Sequence, residues 1–311
     1  MSLAYVVLAH KLPQQVSRLL ARIDHPDDFV LVHVDAKKDI EPFWRELDPF
    51  LATGRVQLTE RRLRCHWGGP GHLDATLAAA SQALESGHDF SHLVLLTGQD
   101  YPIKPLEQIR GFHAEHGGQS FMSWSLGEGH EVPDSERAGN ERWHWHGGLD
   151  RLVKRYYKVP RRKRPLSVPN RLIPWVPTRS LPDGLVPAQG LAYWCLSREA
   201  VRYSLDYTRR RPDVRRFFRR TLASDENYFQ MVLLGSPLAS GLVNEDLRYL
   251  EWDEWHPRTL TMAHLPRLLA SRKLFARKFD IDVDSDVLDA LDSLTAERGL
   301  RTADLGSRLE T

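Results

Sequence analysis

Residues 93 to 105 read Leu-Val-Leu-Leu-Thr-Gly-Gln-Asp-Tyr-Pro-Ile-Lys-Pro, and this stretch narrows the fold more than any other. Leu93 to Leu96 is an apolar run without polar alternation, the pattern of a strand covered on both faces. The run breaks at Thr97-Gly98-Gln99-Asp100, where Gly98 permits a turn that a Cβ would obstruct. Pro102 and Pro105 stop the strand, and Pro105 can open the next helix. Asp100 is thereby delivered to the C-terminal end of a central strand, the edge where open α/β sheets bind ligands. Locally, the same carboxylate could instead cap the helix that follows.

The chain before this stretch repeats the pattern. Ala4 to Ala9 is a buried-strand run ending at His10. Pro13 opens a helix with Val16, Leu19, Leu20 and Ile23 on one face. Phe29 to Val34 is a second strand, ending at Asp35-Ala36-Lys37. Further helices are expected from about Glu41 to Leu51 and along Leu73, Leu77, Ala80 and Leu84, with a short strand at Val56 to Leu58 between them. Alternating strands and helices imply an α/β fold: a doubly wound, mostly parallel sheet with helices on both faces. Three segments, Ala9-His10, Asp35 to Lys37 and Thr97 to Asp100, then share one edge. No Gly-x-Gly-x-x-Gly and no Walker lysine motif is present, which disfavours dinucleotide enzymes and phosphate-loop ATPases.

Residues 120 to 190 are rich in Trp, His, Pro and Arg and read as a loop-heavy insertion over the sheet edge. A strand returns at Ala192 to Leu196, with helices at Arg198 to Tyr207 and Asp225 to Leu234, and a last amphipathic helix near Val287 to Leu294. Lys plus Arg number 43 against 41 acids, so net charge names no partner, but its distribution is uneven. Ten Lys or Arg and no acid lie between Arg151 and Ser180, and seven Arg with one Asp between Arg209 and Arg220. Without a nucleic-acid fold signature, these runs suit a solvated face or a membrane-surface patch, not nucleic acid. The two cysteines, Cys65 and Cys195, make no disulfide framework, and no apolar run approaches the ~20 residues that span a bilayer. With the first strand beginning at about Ala4, a cytoplasmic protein is expected.

Several residues could carry chemistry. Asp35 at a strand end could accept the imide proton of a uracil ring, or be an exposed turn residue. In Ser224-Asp225-Glu226, serine and acids could cap a helix, or Glu226 could be a general base at a pocket rim. Arg258, Lys273, Arg277 and Lys278 could solvate a surface or clamp a diphosphate as negative charge grows on it. Trp143-His144-Trp145-His146 puts two His on one face but offers no third ligand at usable spacing, so no metal site is expected. The Asp280, Asp282, Asp284, Asp286 run suits helix capping.

In order along residues 4 to about 280, the chain resembles the core-2/I-branching N-acetylglucosaminyltransferase and peptide O-xylosyltransferase family, the family 14 glycosyltransferases. The matching segments are Ala4 to His10, Val32 to Asp35, Trp67-Gly68-Gly69, Thr97 to Lys104, Trp194 to Glu199, Asp225 to Phe229, His256-Pro257-Arg258 and Phe275 to Asp280. The resemblance implies a glycosyltransferase-A fold and an inverting, metal-independent transfer of N-acetylglucosamine or xylose from a UDP-sugar to an acceptor hydroxyl. Glu226 would deprotonate the acceptor, Asp35 hold the uracil, Arg258 and Lys278 bind the diphosphate, and Trp67 wall the sugar pocket. His10 and Asp100, on the same edge, join the donor-binding set. The Asp-x-Asp metal site common in this fold class has no counterpart there, since the edge offers Asp100 alone, and the late cations can replace the metal's charge. One domain over 1–311 is expected: a nucleotide-binding half (1–118), an acceptor-side insertion (119–190) and a catalytic, phosphate-binding half (191–311). Animal members carry a membrane anchor and disulfides; here a soluble, bacterial-type member is expected, with basic loops available for peripheral contact at the inner membrane face. The alternative is a non-catalytic binding protein of the same fold for an anionic polymer or membrane surface.

Overall fold

The computed structural model describes residues 1–126, 150–157, 166–169, 180–253 and 256–294. The strands are β1 (Leu3–Ala9), β2 (Phe29–Val34), β3 (Val56–Leu58), β4 (His92–Thr97), β5 (Asp100–Pro102), β6 (Ser120–Met122), β7 (Lys154–Tyr157), β8 (Leu166–Pro169), β9 (Trp194–Ser197), β10 (Leu242–Asn244), β11 (Arg248–Leu250), β12 (Trp252–Asp253), β13 (His256–Pro257) and β14 (Phe275–Arg277). Seven form one sheet in the order β10-β6-β9-β4-β1-β2-β3. Strands β1, β2, β3 and β4 pair in parallel, β10 runs parallel to β6, and β9 is antiparallel to both its neighbours.

The apolar runs explain this layer structure. Along β1, Leu3, Tyr5, Val7 and Ala9 enter one core and Ala4 and Val6 the other; Val94 and Leu96 of β4 likewise part from Leu93 and Leu95. The first core is covered by α1 (Pro13–Ile23), α2 (Glu41–Leu51) and a helix at 286–294. The second is covered by α3 (Gly71–Glu85) and the helices Arg198–Arg210 and Tyr228–Leu234. Because both faces are filled, a one-residue slip would exchange two complete sets of side chains, so the register is strongly specified.

The turn after β4 differs from its sequence reading. Gly98 is required by packing, since a Cβ there would lie 2.9 Å from Val16 Cγ2. Asp100 opens β5, which lies at the edge of a second sheet ordered β11-β14-β5. Pro102 is the last residue of β5, where it ends the strand, paired on one side with Phe275 so that its missing N–H costs nothing. Pro105 is the residue before α4 (Leu106–Glu115), not its first. The expected helix from Asp225 also changes. Ser224–Glu226 form a single 3-10 turn entered through Ala223 at φ 47°, and the α-helix starts at Tyr228.

Asp100 is fully buried, and so is Arg248. Asp100 Oδ2 accepts from the Thr97 backbone, while Oδ1 lies 3.7 Å from Arg277 Nη1 and 3.9 Å from Arg248 Nε. Arg248 Nη2 also donates to Leu95 O of β4 at 2.9 Å. This cluster joins the small sheet to the large one. Arg248→Met is expected to lower the unfolding free energy by about 3–5 kcal/mol, because it strips a buried carboxylate of one cation. The Asp100→Asn/Arg248→Met double variant should recover part of that loss, as read by urea denaturation.

Candidate active site

The carboxyl ends of β1, β2 and β4 do meet. Asp35 N donates to Ala9 O at 2.8 Å and Gly98 N to Leu8 O at 2.9 Å. Asp35 is buried, not an exposed turn residue. Its Oδ1 accepts from Lys37 N (2.9 Å) and Cys65 N (3.4 Å), and Oδ2 lies 3.2 Å from the Lys37 ammonium. Burial alone would raise its pKa, but these donors outweigh burial and hold it below the usual carboxylate range. Beside it, His10 reaches solvent at the mouth of the edge. Desolvation of its ring, then the cations Lys11, Arg277 and Lys38, lower its pKa to about 4, so the imidazole is neutral at neutral pH.

The Cys65 loop leads to Trp67, whose side chain is 61% exposed. The next residue ties this loop to the Glu226 turn: Ala223 N donates to Gly68 O at 3.0 Å. Glu226 itself is anchored through its backbone, its carbonyl accepting from Gly190 N at 2.8 Å. Asn227 Nδ2 and Gln230 Nε2, both fully buried, donate to Ala188 O and Leu191 O at 2.9 Å each. Gly190 has no alternative, since a Cβ would stand 1.9 Å from Ser123 O. The Ser224 hydroxyl is buried and caps nothing, which sets aside the capping role for Ser224. The Glu226 side chain keeps about a fifth of its surface open and pairs with Arg151. Burial raises its pKa to about 7, Arg151 pulls it back, and Asp225 adds to the rise.

The four late cations separate into two groups. Lys273 is engaged with Glu245 and lies 3.7 Å from Asp246, and Arg277 donates to Thr97 and faces Asp100. Arg258 and Lys278 are laid side by side by the backbone: Lys278 N donates to Arg258 O (3.4 Å) and Leu260 N to Lys278 O (2.8 Å). The Arg258 side chain is half-exposed, with Nη2 3.9 Å from the exposed Asp253 carboxylate. Lys278 has its pKa lowered by desolvation and then by Arg277 and Lys11, against the pull of Asp280.

Electrostatic influence connects several of these groups. Asp35 acts on His10, Arg277 acts on both His10 and Lys278, and Arg277 and Glu226 both act on Tyr193. Asp100 is corrected: it is sealed beneath this surface and holds Arg248 and Arg277, so it cannot touch a donor. The Asp284 carboxylate accepts from Val287 N and Met262 N, in keeping with a capping role for the late acidic run. Among the described residues no three His, Cys, Asp or Glu side chains gather into a metal-holding group, and no helix is long and apolar enough to cross a membrane. The Trp143 to His146 segment lies outside the described residues.

The sequence model of the Core-2/I-Branching enzyme family matches residues 3–270. The chain belongs to that family. Xylosyltransferase 2 of Rattus norvegicus is 26% identical over 313 residues, which cover 93% of this chain and 33% of the relative. Xylosyltransferase 2 of Homo sapiens is 27% identical over 314 residues, with the same two coverages. Xylosyltransferase 1 of Canis lupus familiaris is 24% identical, covering 93% of this chain and 30% of its own length. The chain thus spans about a third of the length of the curated relatives it matches. A solved structure of the galactosyltransferase LgtC with donor and acceptor sugar analogs aligns with a TM-score of 0.40 and 10% identity, over 89% of this chain and 87% of that one.

Two residues that contact these groups escaped the sequence reading. Tyr193 lies against Arg248 and Arg277, whose guanidinium carbons are 4.9 and 5.1 Å from its ring centroid. Burial pushes its phenol up to about 12. Arg151 lay unmarked within a basic run, and nothing in the linear pattern tied it to Glu226. A carboxyl raised from 4.5 to about 7 contributes stability that is complete below pH 4.5 and lost as pH rises through about 7. The unfolding free energy of the parent minus that of Glu226→Gln should therefore fall between pH 4.5 and 7 and then level off. Urea titrations across that range check it; a pH-independent difference contradicts the raised value.

Proposed function

We propose that the chain is a glycosyltransferase of the glycosyltransferase-A fold that moves a sugar from a UDP-sugar to an acceptor hydroxyl, with inversion and without a divalent metal. The observation that supports this reading is the part-open Glu226 carboxyl, paired with Arg151 and raised to about 7 by burial, in a chain that also sets Arg258 and Lys278 side by side. In a single displacement, Glu226 takes the proton of the acceptor hydroxyl as that oxygen bonds to the anomeric carbon. The bond from that carbon to the diphosphate breaks, and UDP leaves with its electron pair. Arg258 and Lys278 meet the charge that develops there. In this reading Asp35 and His10 would hold the nucleoside end of the donor and Trp67 would wall the sugar end. Xylose is the favoured sugar over N-acetylglucosamine because the matched relatives bear the name xylosyltransferase.

Cations that lower one another's proton affinity, as Arg277 and Lys11 do to Lys278, are relieved by an incoming dianion. This favours phosphate binding by side chains alone. The basic residues that follow Arg151 and Arg209 in the chain would supply charge for peripheral contact with an anionic membrane surface.

UDP is expected to raise the melting temperature equally with and without EDTA; loss of the shift in EDTA refutes the metal-free site. Glu226→Gln should bind UDP as the parent does while sugar transfer falls roughly 100- to 10,000-fold. Retained turnover removes Glu226 as the base. Arg258→Ala and Lys278→Ala should each weaken UDP binding about 10- to 100-fold, measured by calorimetry.

A further inference from the structure

Arg151 belongs to a short helix, Asp150–Val153, contributed by the insertion rather than by the sheet that carries the rest of the crevice. It is 8% exposed, and its Nη1 pairs with Glu226 Oε2. Glu226 Oε1 accepts no hydrogen bond from the described residues. Among the described residues, the charged groups acting on the carboxyl are Arg151 and the adjacent Asp225, and the carboxyl in turn acts on the Tyr193 phenol.

The geometry points to Arg151 as the positioning residue of the base: it holds Oε2 and leaves Oε1 to receive the acceptor's proton. This rests on the reading of Glu226 as the base. A carboxylate free to rotate in a cleft presents either oxygen, whereas one tethered at Oε2 by a charged hydrogen bond presents the other. The pairing also answers an electrostatic need. Burial and Asp225 both favour the protonated carboxyl, which cannot act as a base, and Arg151 opposes them. The insertion therefore takes part in the chemistry, and a base held in this way is ready when residues 150–153 are seated against the Glu226 turn.

The test follows the Glu226 carboxyl by 13C NMR in the full chain, with Glu226→Gln assigning its resonance. The parent is expected to titrate near pH 7. In Arg151→Met the proton affinity should rise at least tenfold, and Arg151→Lys should return most of it. A folded Arg151→Met that titrates with the parent overturns the inference. Arg151→Lys, which keeps the charge without the planar contact, covers the case in which the methionine variant does not fold. Its rate of UDP release from UDP-xylose should fall about tenfold with KM unchanged, and an unchanged rate overturns positioning. Full turnover in Glu226→Gln would remove the base itself while leaving the titration result standing. An inactive Glu226→Gln beside Arg151 variants that match the parent removes this inference alone.

Discussion

The structure hangs on a buried carboxylate shared by two arginines. Asp100, at the start of β5, faces Arg277 of β14 and Arg248 of β11, and Arg248 reaches across to the carbonyl of Leu95 in the large sheet. A buried charge is tolerable where opposite charge and hydrogen bonds surround it, so these three strands cannot move apart without exposing an uncompensated ion. Lys278 directly follows Arg277, and its backbone in turn seats Arg258. The joint between the two sheets therefore fixes where half-exposed Arg258 and partly buried Lys278 stand. Tyr193, lying against both guanidiniums, carries the same joint to β9.

Across from the cations, the Glu226 turn is built by different means. Its position comes from backbone hydrogen bonds made by buried amides, and from a glycine at 190 whose hydrogen atom sits where a methyl would meet Ser123 O. Its reactivity comes from a contest between burial and Arg151. In the proposed reaction the Glu226 turn would supply the group that gains a proton and the Arg258–Lys278 pair the charge that meets a leaving diphosphate.

The layer structure was legible because β1, β2 and β4 are apolar on both faces, a pattern that fits a strand covered by helices on two sides. The shared edge of His10, Asp35 and Thr97 followed from parallel alternation alone. Asp100 was misread because its neighbours in sequence say strand end and ligand edge, while its partners lie in β11 and β14. Ser224 looked like a helix cap, but the left-handed Ala223 turns the segment into one 3-10 turn and buries the hydroxyl. Of the four late cations, nothing local distinguished Lys273 and Arg277, which are held by Glu245 and by Thr97 and Asp100, from Arg258 and Lys278.

The amino-acid order by itself determined the sheet's strands, the faces they bury and the edge where a donor would lie, because hydrophobic periodicity is a local property that burial then enforces. Tertiary structure alone decided which charges are exposed and which are tied. It brought Arg151 to Glu226 across 75 positions of chain and set Asp100 beneath the surface. Pairing energies depend on distance and dielectric, and neither is written in the spacing of residues along the chain.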